Sequence, residues 1–175
     1  MKIFKRALPF LIALISVLLD QLTKYLAVVH LKPIGSVPLI EGVFHFTYTT
    51  NRGAAFSLFA AEDQRWIFLT VSSIAIIVMT VYLLRVKKQP LLWTAAIGSI
   101  LGGGIGNMID RISTGEVVDF LDFCLINFPI FNVADCFVCV GAALLFLAFF
   151  LDWRREIKEE AAKRSSEENH DTAGA

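Results

Sequence analysis

Hydrophobic and polar positions are segregated along this chain rather than interleaved. Four long apolar stretches stand out, uncharged except for Asp135 near the start of the fourth. The first starts near Ala7, with Pro9 in its opening turn where a missing N–H is tolerated, and it carries no charge until Asp20 and Lys24. The others run over 66–84, 91–109 and 133–151, nineteen residues each. At 1.5 Å per residue nineteen residues make roughly 28 Å, close to the thickness of a hydrocarbon core, so each stretch predicts a membrane-spanning helix. A different period appears only between Val43 and Thr50, where Phe44, Phe46 and Tyr48 alternate with His45, Thr47 and Thr49. That alternation predicts a short strand, approached through the turn residues Pro33, Gly35, Pro38 and Gly42. Beyond Asp152 the chain is charged and rich in Ser and Ala. Residues 154–175 are therefore expected to form a short helical extension followed by disorder, outside a single integral-membrane domain over 1–153.

Composition supports a bilayer as the solvent. Of the 175 residues, 56% are hydrophobic and 18% charged, against about 45–50% and about 25% in soluble chains. Sixteen Lys/Arg balance sixteen Asp/Glu. The balance argues against a nucleic-acid binder, and three Cys are too few for a disulfide scaffold. Lys2, Lys5 and Arg6 before an apolar run also describe a secretory signal peptide. The exit from that run, Leu19-Asp20-Gln21-Leu22-Thr23-Lys24, offers no small-residue cleavage site, so a retained helix to about Leu26 is expected.

Eleven basic residues fall into three groups: the N-terminal hexapeptide, the turn holding Arg85, Lys87 and Lys88, and the tail from Arg154 to Arg164. The positive-inside rule puts these groups, and both termini, on the cytoplasmic side. The segments 25–65 and 110–132 then face outward, the second being acidic through Asp110, Glu116, Asp119 and Asp122. Trp66, Trp93 and Trp153 all lie at span ends, where amphipathic rings suit the interface.

The polar groups near the spans gather on that outward side: Asp20, Asn51, Arg52, Asn107, Asp110, Arg111, Asp119, Asn132 and Asp135. Each has a plain structural reading. Asn132 suits a helix N-cap with Asp135 three residues on, Asp110 and Arg111 suit an interfacial ion pair, and Asp20 and Lys24 suit an i, i+4 pair. Those readings do not explain Asp119 and Asp122 in the apolar frame Val117-Val118-Asp119-Phe120-Leu121-Asp122-Phe123. A second reading pairs Asp119 with Asp135 across a shared proton, since two close carboxylates do not both ionise easily. Such a pair can hydrolyse a peptide bond through a bound water, with neither metal nor cofactor.

Five polar stretches, taken in order, resemble the lipoprotein signal peptidase (signal peptidase II) family: Asp20-Gln21-Leu22-Thr23-Lys24, Asn51-Arg52-Gly53-Ala54-Ala55-Phe56-Ser57, Gly106-Asn107-Met108-Ile109-Asp110-Arg111, Val117-Val118-Asp119-Phe120 and Phe131-Asn132-Val133-Ala134-Asp135. The resemblance covers the chain from the first span to the fourth. It implies an aspartic endopeptidase of the bacterial cytoplasmic (inner) membrane that removes signal peptides from prolipoproteins, cutting just before a diacylglyceryl-modified Cys. It implies Asp119 and Asp135 as the catalytic pair, with Asp20, Asn51, Asn107, Asp110, Arg111 and Asn132 supporting the site or the substrate. It also implies an all-α membrane fold of four helices with a small extracytoplasmic sheet and a short amphipathic segment. Membrane lipids and prolipoproteins are the expected partners of a monomer, with no nucleic acid, cofactor or metal.

Other motifs carry less. Gly98, Gly102 and Gly106 recur at helical spacing and predict close helix packing rather than a nucleotide loop, which needs a preceding strand. Cys136 and Cys139 lack the further thiolates of a structural zinc site and are expected to pack. His30, His45 and His170 have no carboxylate or Cys pattern beside them in sequence that would make a ligand set. A small proton-coupled transporter and a non-enzymatic scaffold remain the rival classes. A relay, however, needs titratable groups spaced across the bilayer, and these acids crowd one face.

Overall fold

The computed structural model describes residues 2–52, 64–86 and 90–173. Residues 53–57 of the second matched stretch, and Lys87 and Lys88, lie outside them. Four helices are long and apolar enough to cross a membrane. Helix α1 (Lys2–Leu26) runs on without a break into a π-helical turn (Ala27–Leu31), α2 spans Gln64–Arg85, α3 spans Leu91–Ser113 and α4 spans Val133–Ala173. The first spanning segment thus extends five residues beyond the expected end. Helix α4 is 41 residues long. At 1.5 Å per residue that is roughly 60 Å, about twice a hydrocarbon core, so the helix continues through the charged tail where a short extension and disorder were expected. An Arg155–Glu159 pair one turn apart at 2.9 Å lies along this extension.

Helix α3 is the centre of the bundle, packed against α1, α4 and α2. Apolar burial cannot drive this assembly in lipid, because the outer faces, with Leu14, Leu18, Ile74, Val78, Phe146 and Phe149 exposed, meet acyl chains of equal polarity. Close backbone approach does the work instead. A Cβ on Gly98 would sit 2.6 Å from the Pro9 carbonyl oxygen of α1, and one on Gly103 would collide with the Ala134 carbonyl and Val138 of α4. Gly104 differs, with Ile76 of α2 no nearer than 3.8 Å.

A three-stranded antiparallel sheet covers the end of the bundle where α1 and α3 finish and α4 begins. Its order is β1 (Ser36–Ile40), β2 (Phe44–Asn51), β3 (Val117–Asp122). The strand expected over 43–50 is β2. Strand β1 was legible only as turn residues, because Pro38 lies within it. Proline is accepted there since β1 is an edge strand, and the register slips between Pro38 and Ile40. Gly42 turns β1 into β2 with φ +70°, a conformation that side-chain-bearing residues rarely adopt. At the far end Trp93 Nε1–H donates to Asp152 Oδ2 at 2.8 Å, tying α3 to α4 at the interface.

Gly98→Ala and Gly103→Ala should each destabilise the bundle by about 1–3 kcal/mol through overpacking. Gly104→Ala, in the same helix, should be neutral or mildly stabilising through helix propensity. Thermal unfolding in detergent distinguishes them; equal effects at all three positions would contradict the packing account.

Candidate active site

The site forms where the chain returns on itself after β3. Residues Cys124–Ile126 make a single 3-10 turn, Asn127 adopts φ 49°, and Phe131 comes back to pair with Leu121. Leu121 N–H donates to the Phe131 carbonyl at 2.8 Å and Phe131 N–H to the Leu121 carbonyl at 3.1 Å. The edge-to-face contact of Phe44 with Phe123 and the stacking of Phe123 on Phe131 pack this return. Asn132 is thereby brought beside Asp119, and α4 starts at the next residue.

Asn132 has no exposed surface and makes contacts in four directions. Its Nδ2 donates to Asp119 Oδ1 at 2.6 Å and to Asn107 Oδ1 at 3.1 Å. Its Oδ1 accepts the Asp135 N–H at 3.0 Å, and its own N–H donates to Asp135 Oδ2 at 3.1 Å. The capping reading of Asn132 and Asp135 is therefore correct, a reciprocal capping box with Asp in the third position. It is also incomplete, because the same amide holds the second acid. Asn107 Nδ2 donates to Asp135 Oδ1 at 2.7 Å.

Asp119 is 2% exposed. Burial and then the charge of Asp135 push its carboxyl up to about 6, against the pull of hydrogen bonds from Asn132 and Asn51. Antiparallel pairing places Thr49 opposite Asp119 and Asn51 opposite Val117, which is how β2 delivers its amide. Asp122, the other acid of the apolar frame, accepts the Thr47 hydroxyl at 2.8 Å.

Behind the acids lies a buried ionic network. Lys24, 3% exposed, donates to Asp20 Oδ2 and Asp110 Oδ2 at 2.9 Å each and to Asn107 Oδ1 at 2.8 Å. Gln21 Nε2 bridges Asp110 Oδ1 at 2.9 Å and Asp20 Oδ2 at 3.2 Å. Each acid also anchors backbone: Asp20 Oδ1 accepts the Ala134 N–H at 2.9 Å and Asp110 Oδ2 the Val118 N–H at 3.2 Å. Gly106 is needed here, since a Cβ would lie 2.5 Å from Asp20 Oδ2.

The structure thus brings together seven of the eight expected residues as one hydrogen-bonded set, Asp20, Asn51, Asn107, Asp110, Asp119, Asn132 and Asp135. Arg111 borders it. Asp110 pairs with Lys24, while the Arg111 guanidinium lies 5.0 Å from the centre of the Phe68 ring and reaches the Asn107 carbonyl at 3.5 Å. Arg52 makes a separate ion pair with Glu116 at 2.6 Å, with the Arg52 side chain 83% exposed.

Sequence reasoning missed Lys24 and Gln21 as site components. The signal was available, because a Lys one turn beyond an acid within a span requires a partner. It also missed that His45 has acid and Cys neighbours. Strand pairing sets His45 opposite Asp122, and Cys124 follows, so that one ligand-capable atom from each lies within 4.8 Å of the others. Cys139 is exposed on α4 rather than packed.

Lys24→Met should leave two buried carboxylates without their counter-ion and lower stability by about 3–5 kcal/mol. Thermal unfolding of the detergent-solubilised variant checks this; an unchanged midpoint would show that Lys24 does not hold the network.

A family model described as signal peptidase (SPase) II matches residues 12–151. The chain is 46% identical over 147 residues to the lipoprotein signal peptidase of Brevibacillus brevis, covering 83% of this chain and 97% of that protein. It is 44% identical over 155 residues to the lipoprotein signal peptidase of Halalkalibacterium halodurans, covering 87% and 98%. A solved bacterial membrane enzyme, determined by the in meso method at 1.9 Å resolution, superposes with a TM-score of 0.72 at 34% identity, covering 81% of this chain and 91% of that one. With its four apolar helices, its small sheet and this extent of similarity, the chain belongs to the signal peptidase II family of lipoprotein signal peptidases.

Proposed function

We propose that this multi-pass membrane protein removes the signal peptide from diacylglyceryl-modified prolipoproteins by aspartic catalysis, with Asp119 and Asp135 as the catalytic pair. One observation carries the assignment: a single buried asparagine, Asn132, holds both acids, donating to the Asp119 carboxylate and closing a capping box with Asp135. The cut falls just before the lipidated Cys, as the resemblance implies.

Asp119 supplies the proton, a role supported by its elevated carboxyl. Asp135 is the base; the Asn107 amide and the Asn132 N–H stabilise its negative charge. Asp135 takes a proton from a water between the acids while that water attacks the scissile carbonyl carbon, and Asp119 gives its proton to the carbonyl oxygen. A tetrahedral diol results. On collapse a diol hydroxyl returns its proton to Asp119, Asp135 protonates the departing nitrogen, and the C–N bond breaks. Protons and charge balance over the cycle, and no cofactor enters.

The sheet end of the bundle is the extracytoplasmic face in this reading, with both termini cytoplasmic in the bacterial inner membrane. The distribution of Lys and Arg supports that orientation. Arg111 and Asn51, at the rim, orient the substrate, and the chain acts as a monomer. No observation favours a transporter: the acids gather at one end of the bundle, around Asn132 and Lys24.

Asp119→Asn and Asp135→Asn, purified and shown to be folded, should each lose about 10²–10⁴-fold in cleavage of a diacylated precursor. Normal cleavage by either variant would remove that residue from the catalytic pair. A pH series on unfolding gives an independent check. Because the folded-state carboxyl of Asp119 lies at about 6, above the ordinary aspartate value of 3.8, its contribution to stability is complete below 3.8 and is lost as pH rises through about 6. Asp119→Asn should flatten that fall, and parallel pH profiles for wild type and variant would contradict the assignment of the resting proton to Asp119.

A further inference from the structure

His45, Asp122 and Cys124 form a second cluster, which the peptide-bond chemistry leaves unused. Its placement is dictated by backbone pairing. Antiparallel register sets His45 of β2 against Asp122 of β3, and the 3-10 turn that follows starts at Cys124. One atom from each side chain lies within 4.8 Å of the other two, and all three residues are half-buried.

An imidazole nitrogen, a carboxylate oxygen and a thiol sulfur together make the donor set of a borderline divalent ion, for which zinc is the type. A tetrahedral ion with bonds of about 2.0–2.3 Å separates its ligands by roughly 3.3–3.8 Å, so side chains need draw in by only about 1 Å. Surrounding contacts orient the donors. Thr47 Oγ1–H donates to Asp122 Oδ2 at 2.8 Å, the kind of outer hydrogen bond that steadies a ligating carboxylate. The Leu125 N–H donates to the Val43 carbonyl at 3.3 Å, tying the turn to β2, while the long 3.3 Å contact from the Gly42 N–H occupies the His45 Nε2 lone pair and gives way when that nitrogen takes the ion. Ligation requires the thiolate, so binding releases the thiol proton.

We propose that His45, Asp122 and Cys124 bind a divalent cation of the zinc class, with a fourth position open to water. The ion fastens the β2–β3 pair to the turn that carries the chain towards Phe131. Asp122 lies three residues from Asp119 along β3, about 10 Å at 3.3 Å per residue, so the ion is separate from the acid pair. The inference does not depend on the peptidase reading.

Cobalt(II) tests it, as a spectroscopic stand-in for zinc. The full chain, purified in detergent without a polyhistidine tag, is titrated with Co²⁺. A near-ultraviolet thiolate-to-cobalt charge-transfer band is expected, bleached by added Zn²⁺. Cys124→Ser should abolish that band, His45→Gln and Asp122→Asn should weaken Co²⁺ binding by at least about tenfold, and Cys136→Ser/Cys139→Ser should leave it intact. Thermal unfolding without metal establishes that each variant is folded. The proposal is overturned if folded wild-type protein shows no band at millimolar Co²⁺, or if the band survives in Cys124→Ser. Either result would leave the assignment of Asp119 and Asp135 untouched.

Discussion

The burial of one ammonium group between two carboxylates organises this protein. Lys24 lies at 2.9 Å from both Asp20 and Asp110, which belong to different helices. A lone charge in such a place is costly, and the pair with a third partner offsets that cost only while all three stay in position. Each carboxylate then reaches further: Asp20 to the N-terminus of α4, and Asp110 to the start of β3. The ion triad thus fixes the two segments that bear Asp135 and Asp119. Position and charge are set together, since Asn107 contacts both Lys24 and Asp135.

The charge around the site shows what a shared proton on the proposed pair would change. Among the described residues, Asp20, Asp110, Asp119 and Asp135 face Lys24 and Arg111 as cations. With one shared proton the cluster carries one net negative charge; with none it carries two. Burial penalises the second charge, consistent with the elevated carboxyl of Asp119. Asn132 meets the geometric requirement, because an amide can donate to one acid while its carbonyl accepts the backbone N–H of the other.

Much of this was legible in the sequence, for identifiable reasons. Spanning helices announce themselves by length and lack of charge, and β2 by its strict alternation. Asp119 and Asp122 stood out because acids in an apolar frame require an explanation, whereas Asp135 read first as the acid that follows a helix N-cap. What stayed hidden depended on long-range pairing. Pro38 disguised β1, since only the sheet order reveals that its missing N–H falls on an edge strand. Lys24 read as a local partner of Asp20, and only the packing of α1 on α3 adds Asp110. His45 and Cys124 are far apart in sequence and meet through strand register alone. The helical course of the tail was missed because its charged composition lacks an apolar period, although α4 continues through it.

The pairing of Leu121 with Phe131 has one further consequence. Its hydrogen bonds close the excursion over 122–130 at its base, just where the chain passes from the first acid's strand to the second acid's helix. The separation of the acids is therefore governed by the clasp and not by the contour of the loop above it. A change in the length of the loop beyond Cys124 would leave the acids where they are, provided that Leu121 and Phe131 keep their register.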